Sequence, residues 1–344
     1  MSEKRNEIKD LGEFGLIDRI AADFAVQNPT SIKGIGDDAA VVHGGTDRML
    51  ISTDMLVEGI HFDLAFTPLH HLGYKAVAVN VSDIAAMNGR AEQITVSIGL
   101  SNRFSLEAVD ALYQGIKAAC QSYNVDLIGG DTTASYSGLI ISVTVIGRAN
   151  EEMIAYRNGA QPNDIVCVTG DLGAAFLGLK ILQREKEVFE ADPQMQPDLE
   201  KYEYMVGRQL KPEARADIVF DLAEHRVKPT SMIDISDGLA SEILHLSKQS
   251  KVGIRIYEDK LPIDSFAYET AVEFKIDPVT CALNGGEDYE LLFTISKDDQ
   301  EKLKNHPDIH MIGYVHERAD ENVMITKQGT VVPLRAQGWD HLKK

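Results

Sequence analysis

Apolar residues run through the chain in two rhythms, and short stretches rich in glycine and acids punctuate them. Alternating or continuous apolar runs predict strands at 39–42, 49–53, 93–100, 126–128, 139–147, 164–168, 232–235, 253–257, 289–295 and 311–315. Helical spacing predicts helices over 69–87, 105–123, 174–183, 212–223 and 239–250, the second opened by Ser105, the fourth by Pro212 and the last capped by Ser236-Asp237-Gly238. Phe14, Leu16, Ile17, Ile20 and Phe24 form an amphipathic segment expected to pack on the first half of the chain. A chain of 344 residues favours two α/β domains, with the boundary placed near residue 150, giving 1–150 and 151–344.

The acids concentrate where the apolar runs end. Gly34-Ile-Gly-Asp37-Asp38 feeds a strand, and the same association of acid with glycine or hydroxyl recurs at Ser52-Thr53-Asp54, Asn80-Val-Ser82-Asp83, Gly129-Gly130-Asp131-Thr132, Asp234-Ile-Ser236-Asp237 and Gly285-Gly286-Glu287-Asp288. Two unit charges ~4 Å apart at an effective dielectric near 20 repel by about 4 kcal/mol, so adjacent ionised carboxylates call for a cation. A solvated turn competes with a metal site at Asp37-Asp38, since glycine and aspartate are ordinary turn residues. Recurrence favours one site that collects all six stretches.

Ser52 and Asp54 share one strand face while Ile51 takes the other, and Asp54 is expected at the strand's end. Asp83 continues the helical face of Leu72, Ala76 and Val79, where a buried acid needs a partner; Lys75 is one candidate. The strand 126–128 reads as buried and ends in Gly129-Gly130-Asp131, glycines that permit close approach to the backbone. Asp237 reads equally as a helix cap, whereas Asp234 lies inside a strand and is harder to explain without a role. His61 sits in a polar loop, Arg157 at the domain junction, and the single tryptophan, Trp339, in the tail as an anchor or a stacking platform.

Lys+Arg 34 against Asp+Glu 53 gives a net charge of −19, which repels phosphate backbones and speaks against nucleic acid. Any phosphate ligand must then arrive with metal. Cys120, Cys167 and Cys281 show neither a disulfide framework nor zinc-ligand spacing. With apolar runs well short of the ~20 residues of a membrane span and a charged N-terminus lacking an apolar core, a cytoplasmic location without membrane attachment is expected. No P-loop, protein-kinase or dinucleotide-binding motif occurs. About eight hard oxygen donors beside Ser, Thr and Gly suit magnesium with substrate phosphates, and so phosphoryl transfer.

The ordered motifs Gly34-Ile-Gly-Asp-Asp38, Ser52-Thr-Asp54 followed by His61, Asn80-Val-Ser-Asp-Ile-Ala-Ala-Met87, Ile128-Gly-Gly-Asp-Thr-Thr133, Ile233-Asp-Ile-Ser-Asp-Gly238 and Gly285-Gly-Glu-Asp-Tyr-Glu-Leu291 resemble the thiamine-monophosphate kinase family of the aminoimidazole-ribonucleotide synthetase-like superfamily. The resemblance runs from Gly12-Glu-Phe-Gly-Leu-Ile17 to Trp339, with Asn88 standing where glycine is expected. It implies an α/β (α+β) fold of two domains, each a mixed sheet packed with helices. The first would bind metal and ATP and pair in a homodimer; the second would complete the ATP and substrate site. By the same resemblance Asp38, Ser52, Thr53, Asp54, Asp83, Asp131, Asp234 and Asp237 would hold several magnesium ions. Tyr113, Gly130, Asp131, Arg157 and Ser236 would contact ATP, and His61, Glu287 and Trp339 thiamine monophosphate. Transfer would be direct, with no residue acting as acid or base. Two rivals are another superfamily synthetase, disfavoured for the selenophosphate enzyme because no cysteine precedes Cys120, and a non-enzymatic binder of divalent metal, for which the calcium-loop spacing is missing.

Overall fold

The computed structural model describes residue 17 and residues 28–337. The amphipathic segment of residues 14–24 and Trp339 therefore lie, apart from Ile17, outside the described residues. Six strands, β1 (Ser31–Lys33), β2 (Ala40–Gly44), β3 (Asp47–Val57), β4 (Arg90–Leu100), β5 (Asp126–Ala134) and β6 (Leu139–Ala149), form one sheet in the order β1-β2-β3-β6-β4-β5. Only β4 and β5 run parallel. Helices α1 (Leu69–Ala86) and α2 (Leu106–Tyr123) accompany it.

A second sheet gathers β7 (Ile165–Thr169), β8 (Ser231–Asp234), β9 (Gly253–Tyr257), β10 (Leu291–Ile295), β11 (Ile309–His316), β12 (Val323–Ile325) and β13 (Val331–Pro333) in the order β13-β12-β9-β11-β7-β10-β8. It is antiparallel apart from the β12–β9 pair. With it go α3 (Ala174–Ala191), α4 (Glu203–Leu210), α5 (Ala216–Glu224), α6 (Leu239–Ser250), α7 (Ser265–Glu273), α8 (Pro278–Asn284) and the short α9 (Gln300–Leu303). The result is a mixed α/β fold of two sheets, each packed with helices.

α1 is the element on which the two halves meet. Every residue from Leu72 to Ser82 is buried, because one side of the helix packs on β3 and β6 and another meets β8. A helix apolar around most of its circumference belongs in an interior, which is why a single core stripe did not describe it. Its crossing with α2 is close: a Cβ at Gly73 would stand 2.0 Å from the Leu112 carbonyl oxygen.

Several predicted boundaries shift for identifiable reasons. β3 continues to Val57, so Asp54 sits within the strand and not at its end. β5 is neither short nor buried: it extends through Gly129-Gly130-Asp131 to Ala134 as an exposed edge strand. The group that approaches Gly130 is the neighbouring backbone, since a Cβ there would lie 1.8 Å from the Val96 carbonyl oxygen. α3 runs eight residues past Gln183, through a charged stretch in which Arg184–Glu185 and Lys186–Glu190 pair. Such side chains are good helix formers that carry no apolar periodicity. Pro212 opens no helix. Lys211 before it is forced out of helical conformation (φ −139°), ending α4, and α5 begins only at Ala216.

Candidate active site

Four segments deliver oxygen donors to one place. Asp38 stands just before β2, Ser52 and Asp54 alternate on the inner face of β3, Asn80, Ser82 and Asp83 project from the last turns of α1, and Asp234 ends β8. One carboxylate oxygen from each of Asp38, Asp83 and Asp234 lies within 4.8 Å of the others. Hydroxyls and an amide hold them there. Ser52 Oγ donates to Asp83 at 2.5 Å and Ser82 Oγ to Asp234 at 2.6 Å, which ties α1 to the second sheet. Asn80 accepts the Asp54 amide through Oδ1 (3.2 Å) while its Nδ2 donates to the Ala76 carbonyl (2.9 Å).

Concentrating acids in a desolvated place raises their pKa values. Burial first, then the charge of Asp38, pushes Asp54 up to about 6 and Asp234 to about 7; Ser82 partly offsets the latter. Asp83 is driven well above the usual range by burial and by Asp54, Asp234 and Asp38. Asp37 is also raised, by burial and by Asp38, although Lys33 lies 3.4 Å away.

Arg157 grips Asp38 with a bidentate fork, Nε and Nη2 each 2.9 Å from a carboxylate oxygen, and its backbone N–H donates to Asp37 at 3.1 Å. Geometry of this kind fixes direction as well as charge. The donor set around it is all oxygen, the chemistry that magnesium takes, and Asp54, Asp83 and Asp234 hold their protons above the ordinary carboxylate range when no cation accompanies them. The residues therefore fit a divalent metal, since the fork of Arg157 takes one hydrogen bond on each oxygen of Asp38 and leaves each a further lone pair.

The other sequence-derived candidates divide. Thr53 turns its hydroxyl to the opposite sheet face, donating to the Val143 carbonyl and accepting from Thr144, each at 3.0 Å, so only its backbone is available to the cluster. Asp131 is exposed on β5 and accepts the Thr132 amide at 2.9 Å. Tyr113 borders a groove of about 600 Å³ between α2 and the start of β5, with Lys117, Asn124 and Leu127. Ser236 and Asp237 lie between β8 and α6, but the cap residue of that helix is Gly238 (φ +108°), not Asp237. His61 Nδ1 accepts the Val57 amide at 3.0 Å, which fixes the ring in its loop. Glu287 is held on the second half of the chain by Lys75 of α1 at 2.8 Å, so the partner of Lys75 is Glu287, while Asp83 pairs with Ser52.

Two groups went unrecognised in the sequence. Glu242, fully buried on α6, accepts the Asp237 amide at 3.0 Å, and burial with Asp237 and Asp234 drives its pKa well up. An acid in the first turn after Ser-Asp-Gly was its only signal. Tyr289, whose phenol is pushed up by burial and by Glu287, Asp54 and Asp234, adjoins the same acids from the loop before β10.

Residues 36–149 match the family model for the AIR synthase related protein, N-terminal domain. The thiamine-monophosphate kinase of Bacillus subtilis (strain 168) is 35% identical over 346 residues, covering 97% of this chain and 100% of the relative. The chain belongs to the thiamine-monophosphate kinase family. The Aquifex aeolicus (strain VF5) kinase agrees, at 35% identity over 97% of this chain and 99% of its own length. Among solved structures, AaThiL complexed with AMPPCP and TMP superposes with a TM-score of 0.83 at 32% identity, covering 99% of this chain and 100% of that one.

Proposed function

We propose that this chain transfers the γ-phosphoryl group of ATP to thiamine monophosphate, forming thiamine diphosphate, as a magnesium-assisted kinase. The observation that carries the reading is the meeting of Asp38, Asp83 and Asp234 around one point, in a chain collinear with the thiamine-monophosphate kinases over nearly its full length. A relative bound to a nucleotide analogue and TMP supports both substrates.

The chemistry asks little covalent work of the protein. The acceptor is a phosphate monoester with a second pKa near ~6, already ionised at neutral pH, so no general base is needed and none is assigned. The obstacle is the meeting of two anions inside a ring of carboxylates. Asp38, Asp54, Asp83 and Asp234, with Ser52, the Thr53 backbone, Asp131 and Asp237, would hold magnesium, which would supply the charge neutralisation that lets the two anions approach. Arg157 is placed to turn from Asp38 toward nucleotide phosphate; Gly130, Asp131, Ser236 and Tyr113 complete the ATP contacts. His61, Glu287 and Trp339 hold the acceptor, the acid and the aromatic suiting a cationic thiazolium and a flat pyrimidine. The division near residue 150, pairing of the first half in a homodimer and a cytoplasmic location belong to the same reading. Among the described residues no helix is long and apolar enough to cross a membrane.

Chromatography of thiamine species after incubation with ATP, magnesium and either thiamine monophosphate or thiamine tests the acceptor. Diphosphate from the monophosphate alone is the expected result; phosphorylation of thiamine, or of neither compound, overturns it. Trp339→Ala is expected to raise the KM for the acceptor about tenfold or more while leaving that for ATP within about twofold, the loss of one stacked cation–π contact. An acceptor KM unchanged in steady-state assays removes Trp339 from the site.

A further inference from the structure

Lys75 is a buried lysine. Its side chain is 4% exposed, in the middle of the buried face of α1, where a lone ammonium would be strongly disfavoured. Its partners both come from the second half of the chain: the Glu287 carboxylate at 2.8 Å and the Gln209 carbonyl, on α4, at 3.2 Å. Gln209 completes a ring by donating its side-chain Nε2 to the other oxygen of Glu287 at 2.6 Å. Glu287 is thus gripped on both carboxylate oxygens by two elements, yet its side chain remains 30% exposed. The negative end of the pair faces outward and the positive end lies behind it.

The backbone under Glu287 is costly to hold. Gly286, Glu287 and Tyr289 all have left-handed φ values, +73°, +59° and +52°. A residue other than glycine persists there only where its surroundings over-determine it. The loop is pinned to the end of β8 by Glu287 N–H to the Ser236 carbonyl (2.7 Å) and Tyr289 N–H to the Ile235 carbonyl (2.9 Å). The side-chain clamp adds a third tie, and it reaches across to α1. On that helix Lys75 stands eight residues before Asp83, about 12 Å along the axis at 1.5 Å per residue.

We propose that Lys75, assisted by Gln209, is a positioning residue for the acceptor: it keeps the Glu287 carboxylate aimed at the cationic ring, and fixes that acid at a set distance from the carboxylate cluster through the rigid length of α1. The inference rests on the reading of Glu287 as an acceptor-binding acid. Lys75 itself touches no substrate. Its ammonium is spent on Glu287 and Gln209, and its effect passes through them.

Steady-state kinetics on full-length Lys75→Met, Lys75→Arg, Gln209→Leu, Glu287→Gln and the Lys75→Met/Glu287→Gln double variant test it. Lys75→Met is expected to raise the acceptor KM by tenfold or more with the ATP KM within about twofold. Lys75→Arg should recover part of the loss, and Gln209→Leu should show a smaller rise of the same kind. The double variant should be no worse than Glu287→Gln alone, because the two act through one group. Additive losses in the double variant, or equal rises in both KM values, reduce Lys75 to a structural ion pair and overturn the proposal. If Lys75→Met does not fold, Gln209→Leu and Lys75→Arg still read the clamp, and an unchanged acceptor KM in both overturns it. An unaltered acceptor KM in Glu287→Gln defeats the underlying assignment of Glu287, a different failure from Glu287→Gln weakening the acceptor while the Lys75 variants do not.

Discussion

Asp54→Asn is expected to lower turnover and, at the same time, to make the metal-free protein more stable. The two effects have one cause. In the folded chain Asp54 sits beside Asp38 with its carboxyl pushed from 3.8 to about 6, so at neutral pH its ionisation opposes folding. A neutral amide of nearly the same shape relieves this by about 1–3 kcal/mol, taking about 1.4 kcal/mol per pKa unit. Turnover should fall by about a hundredfold to a thousandfold, the scale on which losing a preorganised electrostatic group acts. Thermal melts of metal-free protein beside kinetic assays check both halves. Undiminished turnover refutes the assignment of Asp54 to the metal site; a lower melting temperature in the variant refutes the electrostatic explanation.

The stability of the metal-free protein should fall as pH rises from about 5 to about 8, and magnesium should reverse the trend. Unfolded aspartates lose their protons near pH 4, whereas folded Asp54 and Asp234 keep theirs until about 6 and about 7. Across that window the native state binds more protons than the unfolded one, so stability is full below about pH 4 and lost as pH rises through both folded values. The loss should amount to about 5 °C or more in melting temperature. Magnesium at millimolar concentration prefers the ionised carboxylates, so its stabilising effect should grow with pH. Asp234→Asn separates this from the general effect of a net charge of −19, because only the local cause flattens the slope. Metal-free stability that climbs from pH 5 to 8 would contradict the clustering of these acids.

Much of the site was legible because its donors sit where apolar runs stop. Asp38, Asp83 and Asp234 belong to motifs whose hydrophobic flanks fix strand or helix, so the element that carries each acid could be placed from the pattern. What periodicity could not reveal was orientation across elements. Thr53, which the resemblance puts among the metal ligands, sends its hydroxyl to Val143 and Thr144 on the opposite face of the sheet. The partner of Lys75 was a different matter: with Asp83 two turns along the same helix, nothing local indicated that the ammonium reaches Glu287, 212 residues later. Edge exposure was equally hidden, because Asp126–Ile128 carries the apolar residues of a buried strand while the sheet order puts it outermost. The short β12 and β13 and the helix α4 lack the length from which a period can be read.

Phosphorus NMR of the purified protein with ATP, magnesium and thiamine monophosphate gives the most direct view of the transfer. The γ resonance of ATP should disappear in step with the growth of the two coupled resonances of thiamine diphosphate, one for one, with little inorganic phosphate and no change when the acceptor is left out. Equal release of inorganic phosphate with and without thiamine monophosphate, or ATP left intact in both, would contradict phosphoryl transfer to that acceptor.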